Sequence, residues 1–334
     1  MTTLITKSIG TTGRDYSTLQ AWEDAIPASL VTTDEQWLGE CYNDSEFTAK
    51  LNISAHTTDA TRWIKLTAAA GQSFQDHANV RTNALKYDQT KGVGISYATG
   101  YDYTIELSGT TNYLTISRLQ IKSTSPSGSW PINSNSNSGT NNIFKDLIVE
   151  SARNGPTNLR GTIINVLSII RVANTNFDVG PSSTFIGCTA VCITDATGTV
   201  GFNAPAYRNT ITLNSCASFG HTKATQKAGT STFAGNYNAT DHASGADGMP
   251  GANSQHSVTF SSTTPFTGAS NATINLIPVA GTNLINNGTL DSTNAPNDIT
   301  GTARDSTPTI GVWEVVAGGS PSPVSIESDL IIYN

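Results

Sequence analysis

The sequence predicts an all-β chain, a single-stranded right-handed parallel β-helix with an N-terminal helical cap and a C-terminal extension. Three observations predict it. Short runs rich in Thr, Val, Ile and aromatics alternate with Gly, Asn, Asp and Ser along the 334 residues, the pattern of strands separated by turns. One amphipathic helical stretch stands ahead of them. From Ile116 onward, an apolar pair three residues apart recurs at a solenoid-like interval.

The helix lies in "GRDYSTLQAWEDAIP". Ser17 with Gln20 gives a capping-box pattern. Leu19, Trp22 and Ile26 follow at helical spacing, and Pro27 ends the run. Such a helix before a β-rich body predicts a cap over an open end of core. We assign 1–34 to this cap segment, 35–316 to the β-helix, and 317–334 to a linker and docking tail.

Strand-like segments follow in series: "QWLGECY", "KLNISA", "RWIKLTA", "VGISYA", "YTIELSG" and "YLTISRLQIKS". Then "TISRLQI", "IFKDLIV", "IINVLSI", "FIGCTAV", "LNSCASF" and "FAGNYNA" repeat one motif. Aligned on Leu119, Leu147, Leu167, Cys188, Cys216 and Asn236, they are spaced by 28, 20, 21, 28 and 20 residues. Three positions earlier stand Ile116, Phe144, Ile164, Phe185, Leu213 and Phe233, all apolar. An odd spacing breaks the alternation of a flat strand. A bend around Ser117, Lys145 and Asn165 would restore it. Uneven intervals suit stacked coils, whose excess residues bulge out as turns, and argue against a leucine-rich repeat. After residue 240 the pattern loosens, "GGSPSP" reads as a linker, and the chain ends in "VSIESDLIIYN".

Composition narrows the function. The formal net charge is −7 and no Lys/Arg cluster occurs, so no nucleic-acid partner is expected. No apolar run reaches the roughly 20 residues of a membrane span. "MTTLITKSIG" lacks the apolar stretch of a secretory signal, and four cysteines are too sparse for a disulfide scaffold. The composition of an exported protein without an export signal suits a particle assembled in a host cytoplasm and released by lysis.

Candidate chemistry is sparse. Cys188, Cys192, Cys216 and His221 invite a zinc reading, but Cys188 and Cys192 on one strand would stand roughly 13 Å apart at about 3.3 Å per residue. Cys188 and Cys216 occupy equivalent coil positions and read as small buried hydrophobes. No metal, no cofactor and no catalytic residue is expected. Arg118 with Asp146 and Lys122 with Glu150 look like opposite charges stacked between coils. Asp241 and Asp247 are the acids from which loops could assemble a glycosidase site, though turns need such residues anyway. Ile170, Val191 and Phe219 form an outward apolar strip, the mark of an interface or of a covering loop. Val324, Ile326, Leu330, Ile331, Ile332 and Tyr333 give the tail a second contact surface, docking on a neighbour or folding back.

Several stretches resemble a known group of parallel β-helix proteins. "IGTTGRDYSTLQAWEDAIP" resembles its opening segment, where an IG-x-G-x-DY-x-TL-x-x-W helix caps the first coil. "WIKLTAAAGQSFQDH" resembles its early coils. "DITGTARDSTPTIGVWE" resembles its closing motif, D-x-x-G-x-x-R…IG-x-x-E, with "VWE" in place of a more usual ending. Such chains occur among structural proteins of tailed-bacteriophage virions and among bacterial surface proteins. The resemblance carries over no site residues. Together with the composition it implies a non-enzymatic virion protein that decorates or cements a capsid or forms part of a tail or fibre. Its partners would be other virion proteins, further copies of itself as a homo-oligomer, and a host surface glycan. A tailspike-like protein that binds or depolymerises host glycan and a bacterial surface adhesin are the alternatives.

Overall fold

The computed structural model describes residues 2–97, 100–125, 130–134, 139–172, 174–194, 197–206 and 210–315. Its strands stack in parallel ladders on three faces, as the sequence predicts. The first face runs from Thr3–Ile9 through Glu35–Cys41 and Ile64–Ala68 to Thr232–Ala234. The second runs from Gly94–Tyr97 to Ala239–Thr240, and the third from Leu51–Ile53 to Lys223–Lys227. Two long strands, Ile143–Ser151 and Thr162–Ile170, pass from the first face to the second and pair with each other on both sides of the bend.

That bend is one residue long and repeats from coil to coil. Arg118, Asp146, Asn165, Gly187, Ser215 and Tyr237 have φ of 58°, 53°, 50°, 60°, 52° and 57°. A single left-handed residue turns the strand, so side chains on both sides of it point inward. This explains the odd spacing of Phe144 and Leu147, both fully buried. The bend lies one residue beyond Ser117 and Lys145, and at Asn165 itself. The inner column is therefore Leu119, Leu147, Val166, Cys188, Cys216 and Asn238. Leu167 pairs instead with Ile148, Ile164 with Lys145, and Phe233 with Ile211. The alignment slipped by one at Leu167 because Asn accepts a left-handed backbone, whereas β-branched Val166 resists it. At Asn236 it slipped by two.

The cap helix α1 is Leu19–Glu23, shorter than the pattern suggested. Its N-cap is Thr18 rather than Ser17, with the Thr18 hydroxyl accepting from the Ala21 N–H at 3.0 Å. Leu19, Trp22 and Ile26 are buried, as their spacing predicts. Gly39 makes room for the Trp22 ring, since a Cβ there would lie 2.6 Å from it. Glu23 anchors the cap to the third face. Its Oε1 accepts from the Ser54 N–H at 2.8 Å and the Ser54 hydroxyl at 2.6 Å, and lies 2.9 Å from His56 Nε2. A second short helix, α2 at Leu30–Thr33, was not foreseen.

The chain past residue 257 returns as a cover over the second face. An antiparallel hairpin, Phe266–Ala269 with Ile274–Pro278, packs there. The closing motif follows, and each of its marked residues has a job. Asp298 Oδ1 accepts from the N–H groups of Thr300 and Thr302 at 2.8 and 2.9 Å. Gly301 turns at φ +83°. Gly311 turns at φ +100°, where a Cβ would strike Thr189 Oγ1 at 2.5 Å. Arg304 donates to the Thr309 and Gly311 carbonyls at 3.1 and 2.8 Å and lies 3.6 Å from Glu314. Arg81 reaches in from an early coil, bonding Asp298 at 2.7 Å and lying over the Trp313 ring at 4.1 Å.

Candidate functional site

The third face carries the feature with the most binding chemistry. Asn52, Glu106, Asn133, Thr157, Asp178, Asn203 and Gln226 are register partners from coil to coil. In most of these strands an inward apolar residue precedes the polar one: Leu51, Ile105, Ile132, Phe177 and Phe202 are buried. The inward side is fixed by that burial, with Phe177 stacked on Phe202 at 5.0 Å. The polar residues then stack strand upon strand at about 4.8 Å; Asn52, Glu106, Asp178 and Asn203 are half-buried and Gln226 exposed, whereas Asn133 and Thr157 are buried within the stack. The Thr157 hydroxyl donates to Asp178 at 3.0 Å and Asn203 Nδ2 donates to it at 3.3 Å. Every member carries acceptor atoms, and the amides and hydroxyl also donate.

Beside this column, Tyr103 and Trp130 are register partners and pair their rings at 5.4 Å with a 36° tilt. Lys50 joins the two columns. Its Nζ lies 2.8 Å from Asp102 and 2.6 Å from Glu106, and 5.5 Å from the Tyr103 ring centre. The Tyr97 hydroxyl donates to Asp102 at 3.4 Å. Burial works to lower the Lys50 pKa, but the two carboxylates outweigh it and hold the ammonium above its ordinary value. Burial likewise works to raise Asp102, and Lys50 with the Tyr103 N–H outweighs it, keeping the carboxyl below its usual range. A lysine held charged is a poor general base. A carboxylate held ionised is a poor general acid.

A cleft of about 170 Å³ adjoins Lys50, lined also by Thr11, Ser17, Gln20, Glu46 and Thr48. That is below the roughly 300–1,000 Å³ of small-ligand pockets. Binding here is a matter of the open face, not of an enclosed chamber.

The residues singled out from the sequence fall elsewhere. Ile170, Val191 and Phe219 are all fully buried. Val191 pairs with Ile169 and Phe219, while Ile170 pairs with Cys192 in the next column. The covering loop, not an open interface, accounts for the strip: Phe219 meets Phe260 at 5.8 Å and Phe266 edge-on at 5.5 Å. Val324, Ile326, Leu330, Ile331, Ile332 and Tyr333 lie outside the described residues. Arg118 does not pair with Asp146. It bonds Asp76 at 2.7 Å in a loop over the second face, and Asp146 accepts from Asn165 at 2.9 Å. Lys122 does face Glu150, at 3.9 Å, but Arg171 lies closer at 2.6 Å.

Asp241 accepts from the Gly220 N–H at 3.0 Å, and Asp247 pairs with Lys223 at 3.2 Å. Both hold turns. The thiols of Cys188 and Cys216 donate to the Ile163 and Phe185 carbonyls at 3.4 and 3.5 Å. His221 Nε2 accepts from Asn176 at 3.1 Å and its Nδ1 lies 3.2 Å from the Ser218 hydroxyl. Burial, helped by His242, lowers its pKa to about 3 and keeps the ring neutral. Among the described residues no His, Cys, Asp and Glu gather as a metal site, and no helix is long and apolar enough to cross a membrane.

The polar column escaped the sequence reading, which followed only the first bend. Its signal was present in "IE", "IN", "FD" and "FN" at Ile105–Glu106, Ile132–Asn133, Phe177–Asp178 and Phe202–Asn203.

No family model matches the chain, and no curated protein matches it. Among solved structures it is similar to pectate lyase Pel9A, at a TM-score of 0.48 and 12% identity, over 94% of this chain and 97% of that one. At that identity the likeness is one of fold alone.

Proposed function

We propose that this protein is a non-enzymatic glycan-binding β-helix, its third face lying against an extended polysaccharide. The observation that carries the reading is the register-paired column from Asn52 to Gln226 beside the Tyr103–Trp130 pair. Sugars offer hydroxyls that both donate and accept, and C–H faces that pack on aromatic rings. A stacked column with regular spacing meets successive sugars of a chain without needing a deep pocket. Lys50, held by Asp102 and Glu106, and Asp102, held by Lys50, are set for ion pairing and hydrogen bonding, which supports binding over cleavage.

The proposed setting is the virion of a tailed bacteriophage, with a host surface glycan as ligand and neighbouring virion proteins as partners. That setting is supported by the resemblance of the opening and closing segments. Affinity electrophoresis and calorimetry against purified bacterial surface polysaccharides test the reading, with a reducing-end assay alongside. Binding without release of oligosaccharides is the expected result. Release of oligosaccharides overturns the non-enzymatic half, and no binding to any glycan overturns the whole.

A further inference from the structure

At the aromatic end of the third face the cation beside the Tyr103–Trp130 pair is already engaged by two carboxylates. Lys50 lies beside the Tyr103 ring, and both Asp102 and Glu106 hold it, at 2.8 and 2.6 Å. Its three N–H groups thus face two carboxylates and the Tyr103 ring. The cluster carries one negative charge in excess. Toward the other end Lys223 is engaged by Asp247 at 3.2 Å, and Asp178 stands in the column itself. Lys227 is exposed at the end of the last strand, past the column.

We infer that this face selects uncharged glycans and discriminates against uronic-acid chains. The inference rests on the glycan-binding reading above. A uronate carboxylate is recognised by a free Lys or Arg that donates charge-assisted hydrogen bonds. Here it would have to displace Asp102 or Glu106 from Lys50, or sit beside them at like charge. A neutral sugar meets no such conflict. Its hydroxyls donate to the carboxylate oxygens of Glu106 and Asp178 and accept from the Asn203 amide. Its apolar face covers Tyr103 and Trp130.

The experiment is calorimetric titration with uncharged hexasaccharides (cello-, manno- and N-acetylchito-hexaose) and with an oligogalacturonate hexamer, at low and moderate salt. At least one uncharged probe should bind at least about tenfold tighter than the uronate, the scale expected of one uncompensated charge near a protein surface. The double variant Asp102→Asn with Glu106→Gln frees Lys50 while keeping side-chain shape. It should gain uronate binding severalfold at low salt and lose the gain as salt rises. A melting curve confirms that it is folded, and the single variants serve if it is not. Uronate binding equal to that of the best neutral probe, or no gain in the charge-neutralised variants, overturns the selectivity while leaving glycan binding in place. Failure of every probe to bind overturns both.

Discussion

Arg304 Nη2 donates to Asn165 Oδ1 across 2.9 Å, joining residues 139 positions apart in the chain. Asn165 is one of the left-handed bend residues. Its amide also donates to Asp146, the bend residue of the coil before, at 2.9 Å, and to the Asn297 carbonyl at 2.8 Å. The closing motif is therefore seated on the bend column. Gly187 is the next bend residue, and a Cβ there would lie 2.9 Å from both Arg304 Nη2 and Asn165 Oδ1. Glycine at that bend is what lets the arginine reach the column.

Replacing Arg304 by Met should remove a buried cation, leaving Glu314 without its charge partner and Asn165 Oδ1 without its guanidinium donor. A loss of about 3–5 kcal/mol is expected, the cost of breaking a buried ion pair from one side. Gly187→Ala should cost less, about 1–3 kcal/mol, from the left-handed backbone and the displaced guanidinium. Urea unfolding measures both. An Arg304 variant as stable as the parent would show that the motif does not clasp the coils.

Glu314 makes the clasp sensitive to pH. Burial raises its carboxyl to about 7, against the opposing pull of the Thr309 N–H and Arg304, with Asp298 and Asp305 adding to the rise. Its Oε1 has no hydrogen-bond partner among the described residues. The folded pKa lies above the unfolded value of 4.5, so the folded state holds a proton that the unfolded chain has released. The stability from this group is present below that unfolded value and is lost as pH rises through about 7. It amounts to about 3 kcal/mol at roughly 1.4 kcal/mol per unit. His221 works in the other direction. Its pKa is lowered from 6.5 to about 3, so its contribution is lost as pH falls through that range. The difference between wild type and Glu314→Gln isolates the first effect. Their urea midpoints should differ by an amount that changes steadily between pH 5 and 7 and levels off above it. Parallel profiles would sink the assignment.

The cysteines should be silent in the folded protein. All four are fully buried and none is in a disulfide. Burial raises Cys41, and burial together with Cys216 raises Cys188, so little thiolate is present to react. A thiol reagent should titrate none in the native state and 4 per chain after denaturation, at the rate of unfolding. A fast-reacting thiol or stoichiometric zinc would revive the metal reading of Cys188 and Cys216.

The coil was legible because burial writes a period into the sequence. Ile116, Phe144, Phe185 and Cys188 face inward for the same reason that they recur. The bend was nearly legible. Its left-handed backbone is carried by Arg, Asp, Asn, Gly, Ser and Tyr, and only some of these announce such a conformation. The cover was not legible, because what buries Val191 and Phe219 comes from Phe260 and Phe266, on a segment without periodicity. The candidate face was hidden for a related reason. Glu106, Asn133 and Asp178 look like ordinary surface residues until the third ladder places them in one column.

Trp130 is the residue on which the glycan-binding reading stands most exposed. Its ring and that of Tyr103 lie 5.4 Å apart on consecutive strands, half-buried and facing outward. Trp130→Ala should weaken binding of the best glycan about tenfold or more, from the lost ring contact, worth roughly 0.5–1.5 kcal/mol beyond the area it buries. Trp130→Phe should restore part of it. Because Ile132 and Leu107 keep the core side of these strands intact, the alanine variant should stay folded, as its melting curve would report. A purely structural role predicts the reverse pattern, with stability falling and affinity per folded molecule unchanged.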